Sequence, residues 1–258
     1  MKKIAIVTGA SSGMGARFAK TAAQHVDFDE LWIIARREDR LRKMASELKG
    51  QTVRPLPMDL TDESNFAVLS QLLTDEEAQV VLLVNAAGFG KFQAVTDVPM
   101  PVANQMLALN CKALMAMCYI CLPFMQSGAK ILNIASVAAF QPVPYVAEYA
   151  ATKAFVLSFT RSLWKELRSQ GITVTGLCPY WTKTEFFDVA NNRSNKDRVH
   201  YFNAMYEPDE VVDRGWRDLL RGRDISTYGF IARVQILLVK LLNHRLVMRI
   251  WCRQQGIR

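Results

Sequence analysis

Residues 3–15 read Lys3-Ile4-Ala5-Ile6-Val7-Thr8-Gly9-Ala10-Ser11-Ser12-Gly13-Met14-Gly15. The run Lys3–Val7 is short and apolar, as a buried parallel strand requires, and a helical pattern follows from Met14 to about His25. Glycines at a strand-to-helix turn permit unusual dihedrals and let the backbone approach a pyrophosphate. The helix N-terminus behind them favours that negative charge. Glycine-rich loops also occur as plain turns. Here the loop follows a strand, opens a helix and begins a β-α-β-α series, which is the context that supports phosphate binding. Its spacing is Thr-Gly-x-x-x-Gly-x-Gly, not Gly-x-Gly-x-x-Gly.

Outward from this turn, apolar runs recur at Leu31–Ala35, Val53–Met58, Val80–Val84, Lys130–Ala135 and Thr173–Leu177, with helical patterns between them. The alternation predicts an α/β fold: a doubly wound parallel sheet of the Rossmann type with helices on both faces. Pro55 and Pro57 interrupt the third strand. Proline cannot donate to a ladder, so that strand is expected at an edge, where the 3-2-1-4-5-6 order of such sheets puts it.

The chain has 258 residues, ordinary for one large α/β domain, and its apolar fraction of 50% is ample for a core. The apolar run after Met1-Lys2-Lys3 is too short for a secretory leader, and no stretch approaches 18 uncharged apolar residues. The five cysteines have no framework spacing and suit a reducing cytoplasm, the expected location. Cys118 and Cys121 form a nominal C-x-x-C inside an apolar helical stretch, which reads as two buried small residues, with no metal site expected.

The second strand ends Ala35-Arg36-Arg37. Where such folds use NAD, an acidic side chain near this point binds the ribose 2′-hydroxyl. Ala35 takes the acidic position, and a guanidinium suits a 2′-phosphate. NADP is therefore the expected cofactor, held in part by Arg36 and Arg37; the plainer alternative is a solvated helix start, since Arg37-Glu38-Asp39-Arg40 is charged throughout.

Further along stand Ser136 and Tyr149-Ala150-Ala151-Thr152-Lys153. Tyr149 and Lys153, at i and i+4, share one helix face, so the ammonium can reach the phenol. A neighbouring cation pulls a phenol pKa down from about 10, and reaching about 7 takes roughly 4 kcal/mol of differential stabilisation. Ser136 could supply a hydroxyl to the same reacting oxygen, which points to carbonyl/alcohol redox chemistry. A surface tyrosine beside a solvated lysine is the commoner meaning of such a pair taken alone.

The glycine turn, Asn85-Ala86-Ala87-Gly88, Asn110, Ser136 and Tyr149-x-x-x-Lys153 together resemble the short-chain dehydrogenase/reductase family over residues 1 to about 190. The resemblance implies that Asn110, Ser136, Tyr149 and Lys153 are catalytic. Tyr149 would exchange a proton with the substrate oxygen as hydride moves to or from NADP(H). Lys153 would lower the tyrosine pKa and bind the nicotinamide ribose, and Asn110 would hold a water linking Lys153 to solvent. Alone, Asn110 reads as a helix-kink or capping residue. The resemblance further implies a cofactor cradle of Gly9, Ser11, Ser12, Gly13, Met14 and Gly15, then Asp59 and Leu60 by the adenine. Asn85, Ala86 and Gly88 follow at the end of the fourth strand, with Tyr149 and Lys153, and Pro179, Thr182 and Thr184 after the sixth. Ala86 stands where a second asparagine is frequent, and Tyr180 stands where glycine is common, which leaves the local loop shape open.

Seven aromatics lie between Tyr180 and Tyr206: Tyr180, Trp181, Phe186, Phe187, Tyr201, Phe202 and Tyr206. They fit either a wall for an apolar ketone or acyl-type substrate or a cluster packed under a loop. A non-enzymatic NADP(H)-binding regulator or scaffold is the alternative function. Leu114, Met115, Met117, Phe155, Leu157 and Phe159 exceed what one sheet face needs, and with the family resemblance they predict a homo-oligomer, a dimer through the helices carrying Asn110 and Tyr149.

The net charge of +8 is uneven. Residues 1–213 hold 22 Lys/Arg and 22 Asp/Glu, whereas 214–258 hold 10 Lys/Arg against Asp218 and Asp224. A short strand is expected at Asp224–Tyr228, closing a dinucleotide-binding and catalytic domain over 1–229. Residues 230–258 then form a basic extension of two helices, Phe230–Leu242 and His244–Arg253, broken at Asn243. It resembles the tails of the family branch containing the 3-ketoacyl-CoA and 17β-hydroxysteroid reductases. Such helices can pack on the core, cover the cleft, join subunits, steer an anionic substrate or lie on an anionic membrane with Trp251 at the interface. Nucleic acid is not expected, because large aliphatic residues interleave the charge.

Overall fold

The computed structural model describes residues 1–191 and 197–257. Seven strands, β1 (Lys2–Thr8), β2 (Glu30–Ala35), β3 (Val53–Pro57), β4 (Ala78–Asn85), β5 (Lys130–Ile134), β6 (Thr173–Leu177) and β7 (Ile225–Ser226), form one sheet. Every neighbouring pair is parallel, and the order is β3-β2-β1-β4-β5-β6-β7. This is the doubly wound sheet read from the glycine turn and the apolar runs. The prolines lie on the edge strand, with Pro55 paired to Ile33 and Pro57 to Ala35.

Ile4 to Val7 of β1 are fully buried because both faces of the sheet are covered. Successive side chains point to opposite faces. Ile4 and Ile6 join one core with Leu69 and Leu73 of α3 (Ser64–Asp75), and with Val156 and Leu163 of α6 (Ala147–Leu167). Ala5 and Val7 join the other with Phe18 of α1 (Gly13–Thr21), Leu41 of α2 (Glu38–Glu47) and Trp216 of α8 (Pro208–Leu220). At the amino ends of the first strands, Lys2 and Arg54 pair with Glu30 and Glu76.

The segment Met100–Phe124 is long and apolar enough, by length and composition, to cross a membrane, with a mean hydropathy of 1.6. One face of it packs inside the protein: α5 (Leu114–Cys121) sends Leu114, Met117, Cys118 and Cys121 into the core beside the sheet. Burial holds the Cys118 thiol up at about 12, so both cysteines behave as small apolar residues. Between α4 (Met100–Leu107) and α5, a π-helical stretch over Ala108–Ala113 carries Asn110. Asn110 thus sits where the regular α-helical hydrogen bonding is interrupted.

Strand β7 is shorter than Asp224–Tyr228. Tyr228 turns out of the sheet to pack edge-on against Tyr206 at 5.1 Å, and Gly229 follows with φ +91°. After the short α7 (Phe186–Ala190) and α8, the chain closes with α9 (Phe230–Leu241) and α10 (His244–Gln254). Asn243 separates them and caps α10, its side chain accepting the Arg245 N–H at 2.8 Å.

Candidate active site

A cavity of about 600 Å³ opens at the carboxyl ends of the strands. The glycine turn forms its floor, and at Gly9 and Gly15 the turn tolerates nothing larger than glycine. Gly9 has φ +63°, and a Cβ there would meet Ala87 N at 2.7 Å. A Cβ on Gly15 would meet Gly9 O at 2.4 Å. The N-terminus of α1 is therefore laid directly on the end of β1, with Ser11, Ser12, Gly13 and Met14 exposed to the cavity. Thr8 ties this turn to the next strand, its hydroxyl accepting from Ala86 N and Ala87 N at 3.1 and 3.2 Å. The motif begins with Thr8 but gives its hydroxyl no role.

The basic residues after β2 are placed differently from one another. The Arg37 guanidinium donates to Ser11 Oγ at 3.2 and 2.9 Å and to Ser12 Oγ at 2.9 Å, so it is built into the glycine turn. Arg36 is mostly exposed, 4.0 Å from Asp59. Asp59 also accepts from the Thr61 N–H and hydroxyl, a turn-capping role, while it and Leu60 line the cavity. From the opposite wall Glu185 reaches both Arg37 (3.0 Å) and Arg40 (2.6 Å). This ion pair holds the Glu185 carboxyl below its ordinary value despite partial burial, which acts to raise it.

Ser136, Tyr149 and Lys153 converge on the far wall. Ser136 Oγ accepts the Ala138 N–H at 3.1 Å and faces the Tyr149 phenol, whose ionisation it favours. Lys153 Nζ donates to Ile134 O at 2.6 Å and lies 5.7 Å from the Tyr149 ring centroid. Burial pushes the Lys153 ammonium down to about 8 and the Tyr149 phenol up to about 12, the latter offset in part by Ser136. Among the chain's own groups, desolvation outweighs the depression of Tyr149 expected from Lys153 together with a bound cofactor cation. The ammonium is aimed at a backbone carbonyl, and desolvation dominates.

Asn85 and Asn110 do not line the cavity. Asn85 is buried in the sheet and donates to Asn133 Oδ1 at 2.9 Å, leaving Ala86 and Gly88 to reach the cavity, so its placement against a cofactor is corrected. Asn110 is fully buried; its amide donates to Phe89 O (2.8 Å) and Thr152 Oγ1 (3.0 Å), and its Oδ1 accepts the Phe89 N–H (3.0 Å). It clamps the loop after Gly88 and makes no contact with substrate space.

The aromatic residues divide. Tyr180, Trp181, Phe186 and Phe187 line the cavity with Pro179, Thr182 and Thr184. Phe202 packs behind them, 5.0 Å from Trp181, while Tyr206 joins the sheet core and Tyr201 is exposed. Both alternatives thus apply, to different residues. Tyr180 fits because its ring packs against Trp181 and Tyr206, and its hydroxyl lies 2.6 Å from Asn203 Oδ1 and 3.0 Å from Gln235 Oε1. The last wall comes from the C-terminal extension: Gln235 of α9 and Trp251 of α10. Trp251 faces inward, its Nε1 donating to Pro144 O at 2.9 Å and its ring stacked 6.3 Å from Trp181. Of the alternatives for this extension, the one with Trp251 at a membrane interface does not hold for that side chain.

A glycine turn at the carboxyl edge of a doubly wound sheet, faced by a serine, a tyrosine and a lysine, defines a class of α/β oxidoreductases. Residues 3–195 match the short chain dehydrogenase family, and the chain belongs to it. It is 33% identical over 180 residues to an uncharacterized oxidoreductase of Staphylococcus epidermidis, covering 69% of this chain and 77% of that one. A short-chain dehydrogenase from Sphingobium yanoikuyae in complex with NADPH superposes with a TM-score of 0.78 at 30% identity, over 96% of both chains. A 3-ketoacyl-(acyl-carrier-protein) reductase from Brucella melitensis complexed with NADH gives 0.70 at 26% identity, over 84% of this chain and 90% of that one.

Proposed function

We propose that the protein transfers hydride between NADP(H) and an apolar ketone or secondary alcohol. The observation that carries this reading is the joining of Ser136, Tyr149 and Lys153 on one wall of a cavity whose opposite wall is a turn closed to any side chain at Gly9 and Gly15. The residues fit a dinucleotide: backbone N–H groups of the α1 N-terminus for the pyrophosphate, and Arg37 beside Ser11 and Ser12 for a 2′-phosphate. When bound, the nicotinamide supplies or accepts the hydride. Tyr149, holding its proton with a pKa near 12, donates it to the carbonyl oxygen as negative charge develops there, and Ser136 orients that oxygen. Lys153, near 8, is poised to exchange a proton at neutral pH behind the tyrosine. Tyr180, Trp181, Phe186 and Phe187 supply an apolar wall for the rest of the substrate.

Turnover of a panel of apolar ketones with NADPH tests the proposal. Tyr149→Phe is expected to lower kcat by about 10²–10⁴ with NADPH binding retained. Arg37→Ala is expected to weaken NADPH by roughly ten- to a hundredfold and NADH far less. Tight NADPH binding without turnover across the panel would favour a nucleotide-binding regulator. Equal affinity for NADH and NADPH would refute the NADP assignment.

A further inference from the structure

The two C-terminal helices are amphipathic in an unusual sense. At ~100° per residue, the residues of α9 that meet the body of the protein, Ala232, Ile236 and Val239, fall on one side. Directly opposite lie Phe230, Val234, Leu237, Leu238 and Leu241, all exposed, Phe230 by 80% and Leu241 by 74%. Arg233 and Lys240 border this apolar face. Helix α10 turns Val247 and Trp251 inward and leaves Leu246 and Ile250 exposed beside a ridge of Arg245, Arg249 and Arg253. A water-facing helix ordinarily puts polar residues outward, so a contiguous exposed apolar face marks an interaction surface.

Charge names the occupant. No aspartate or glutamate follows Asp224 in the sequence, and none of these five cations forms an ion pair among the described residues. A second copy docked here would bring arginines against arginines with no acid to meet them. An anionic bilayer suits this face: its acyl boundary takes the large aliphatic side chains and its headgroups take the Arg245, Arg249 and Arg253 ridge, while Arg233 and Lys240 turn back to Thr227 O and the Phe140 ring.

We propose that the outer face of α9 and α10 docks the protein on an anionic lipid surface. Gln235 of α9 and Trp251 of α10 line the cavity, so each helix has one side on the cavity wall and another on the docked surface.

Co-sedimentation of the full chain with vesicles tests this, because it reads binding without any substrate. With phosphatidylglycerol/phosphatidylcholine vesicles at low salt, the protein is expected to pellet. Binding should fall at least tenfold on phosphatidylcholine alone, and fall again as salt shortens electrostatic reach. Leu237→Glu/Leu241→Glu, and separately Arg245→Gln/Arg249→Gln, should each reduce partitioning at least tenfold with melting temperature and NADPH affinity unchanged. No pelleting at low salt overturns the proposal, as does unchanged pelleting of both variants. If light scattering shows that Leu237→Glu/Leu241→Glu converts an oligomer to a monomer, the face belongs to a second copy and the proposal fails.

Discussion

Lys153 is a buried cation that donates to the Ile134 backbone carbonyl, and its ammonium is held near 8 by desolvation. The folded chain therefore binds fewer protons than the unfolded chain between about 8 and 10.5, so this residue makes stability rise with pH across that window. Below it, the unfavourable contribution is fully present. Lys153→Met is accordingly expected to be more stable than the parent at pH 7, by up to a few kcal/mol less the lost hydrogen bond to Ile134 O, while losing turnover. Thermal melts at pH 7 and pH 10 check the sign: the gain should shrink toward the higher pH. Gain at both pH values alike would mean that packing, not titration, is responsible. At this scale the sequence carried Ser136, Tyr149 and Lys153 because their spacing encodes one helix face and one strand end. It did not carry Glu185, whose partners Arg37 and Arg40 are distant in sequence and meet only once the sheet is wound. Asn85 misled because a motif position does not say which way a strand-end side chain turns.

Helix α10 is fastened to the loop that carries the cavity aromatics. Gln255, just past its end, accepts the N–H groups of His200 and Tyr201 at 3.0 and 2.9 Å and donates to Tyr201 O at 3.1 Å. One buried amide thus satisfies three backbone groups of a segment without helix or strand of its own. Gln255→Ala is expected to cost about 1–3 kcal/mol and to speed proteolytic cleavage within residues 180–206, read by limited proteolysis. Unchanged cleavage would show that Phe202 and Trp181 alone hold the loop. The helical pattern, the break at Asn243 and the basic repeat of α10 were legible from residue spacing. Which stripe faces inward was not, because the pattern of Leu and Arg suits either orientation, and the place of Trp251 was left open with it.

For the whole molecule, the sheet order followed from the apolar runs and the two prolines, since a doubly wound sheet admits few arrangements. The apolar residues of the central helices divide, with Met115 and Phe159 half-buried between the two groups. Leu114, Met117 and Leu157 are used by the sheet, while Phe155 and Tyr119 remain exposed, and Phe155 stacks on Phe159 at 6.0 Å. We expect these residues to form a subunit contact, giving a dimer mass by light scattering at micromolar concentration. Tyr119→Arg/Phe155→Arg should then give a monomer with the same circular dichroism. A parent protein already monomeric at that concentration defeats the expectation.

The winding of the sheet also makes the two ends of the chain unequal to anyone who handles it. Lys2 lies at the amino edge, beside Glu30 and Glu76 and across the full length of the strands from the cavity. A purification handle fused ahead of Met1 therefore leaves from a passive rim. The same handle fused at the other end begins a few residues past Gln255, against the loop that Gln255 pins and close to Trp251 in the cavity wall. Preparations that differ only in tag position should report different apparent activities, and the amino-terminal fusion is the one that leaves the site as the chain builds it.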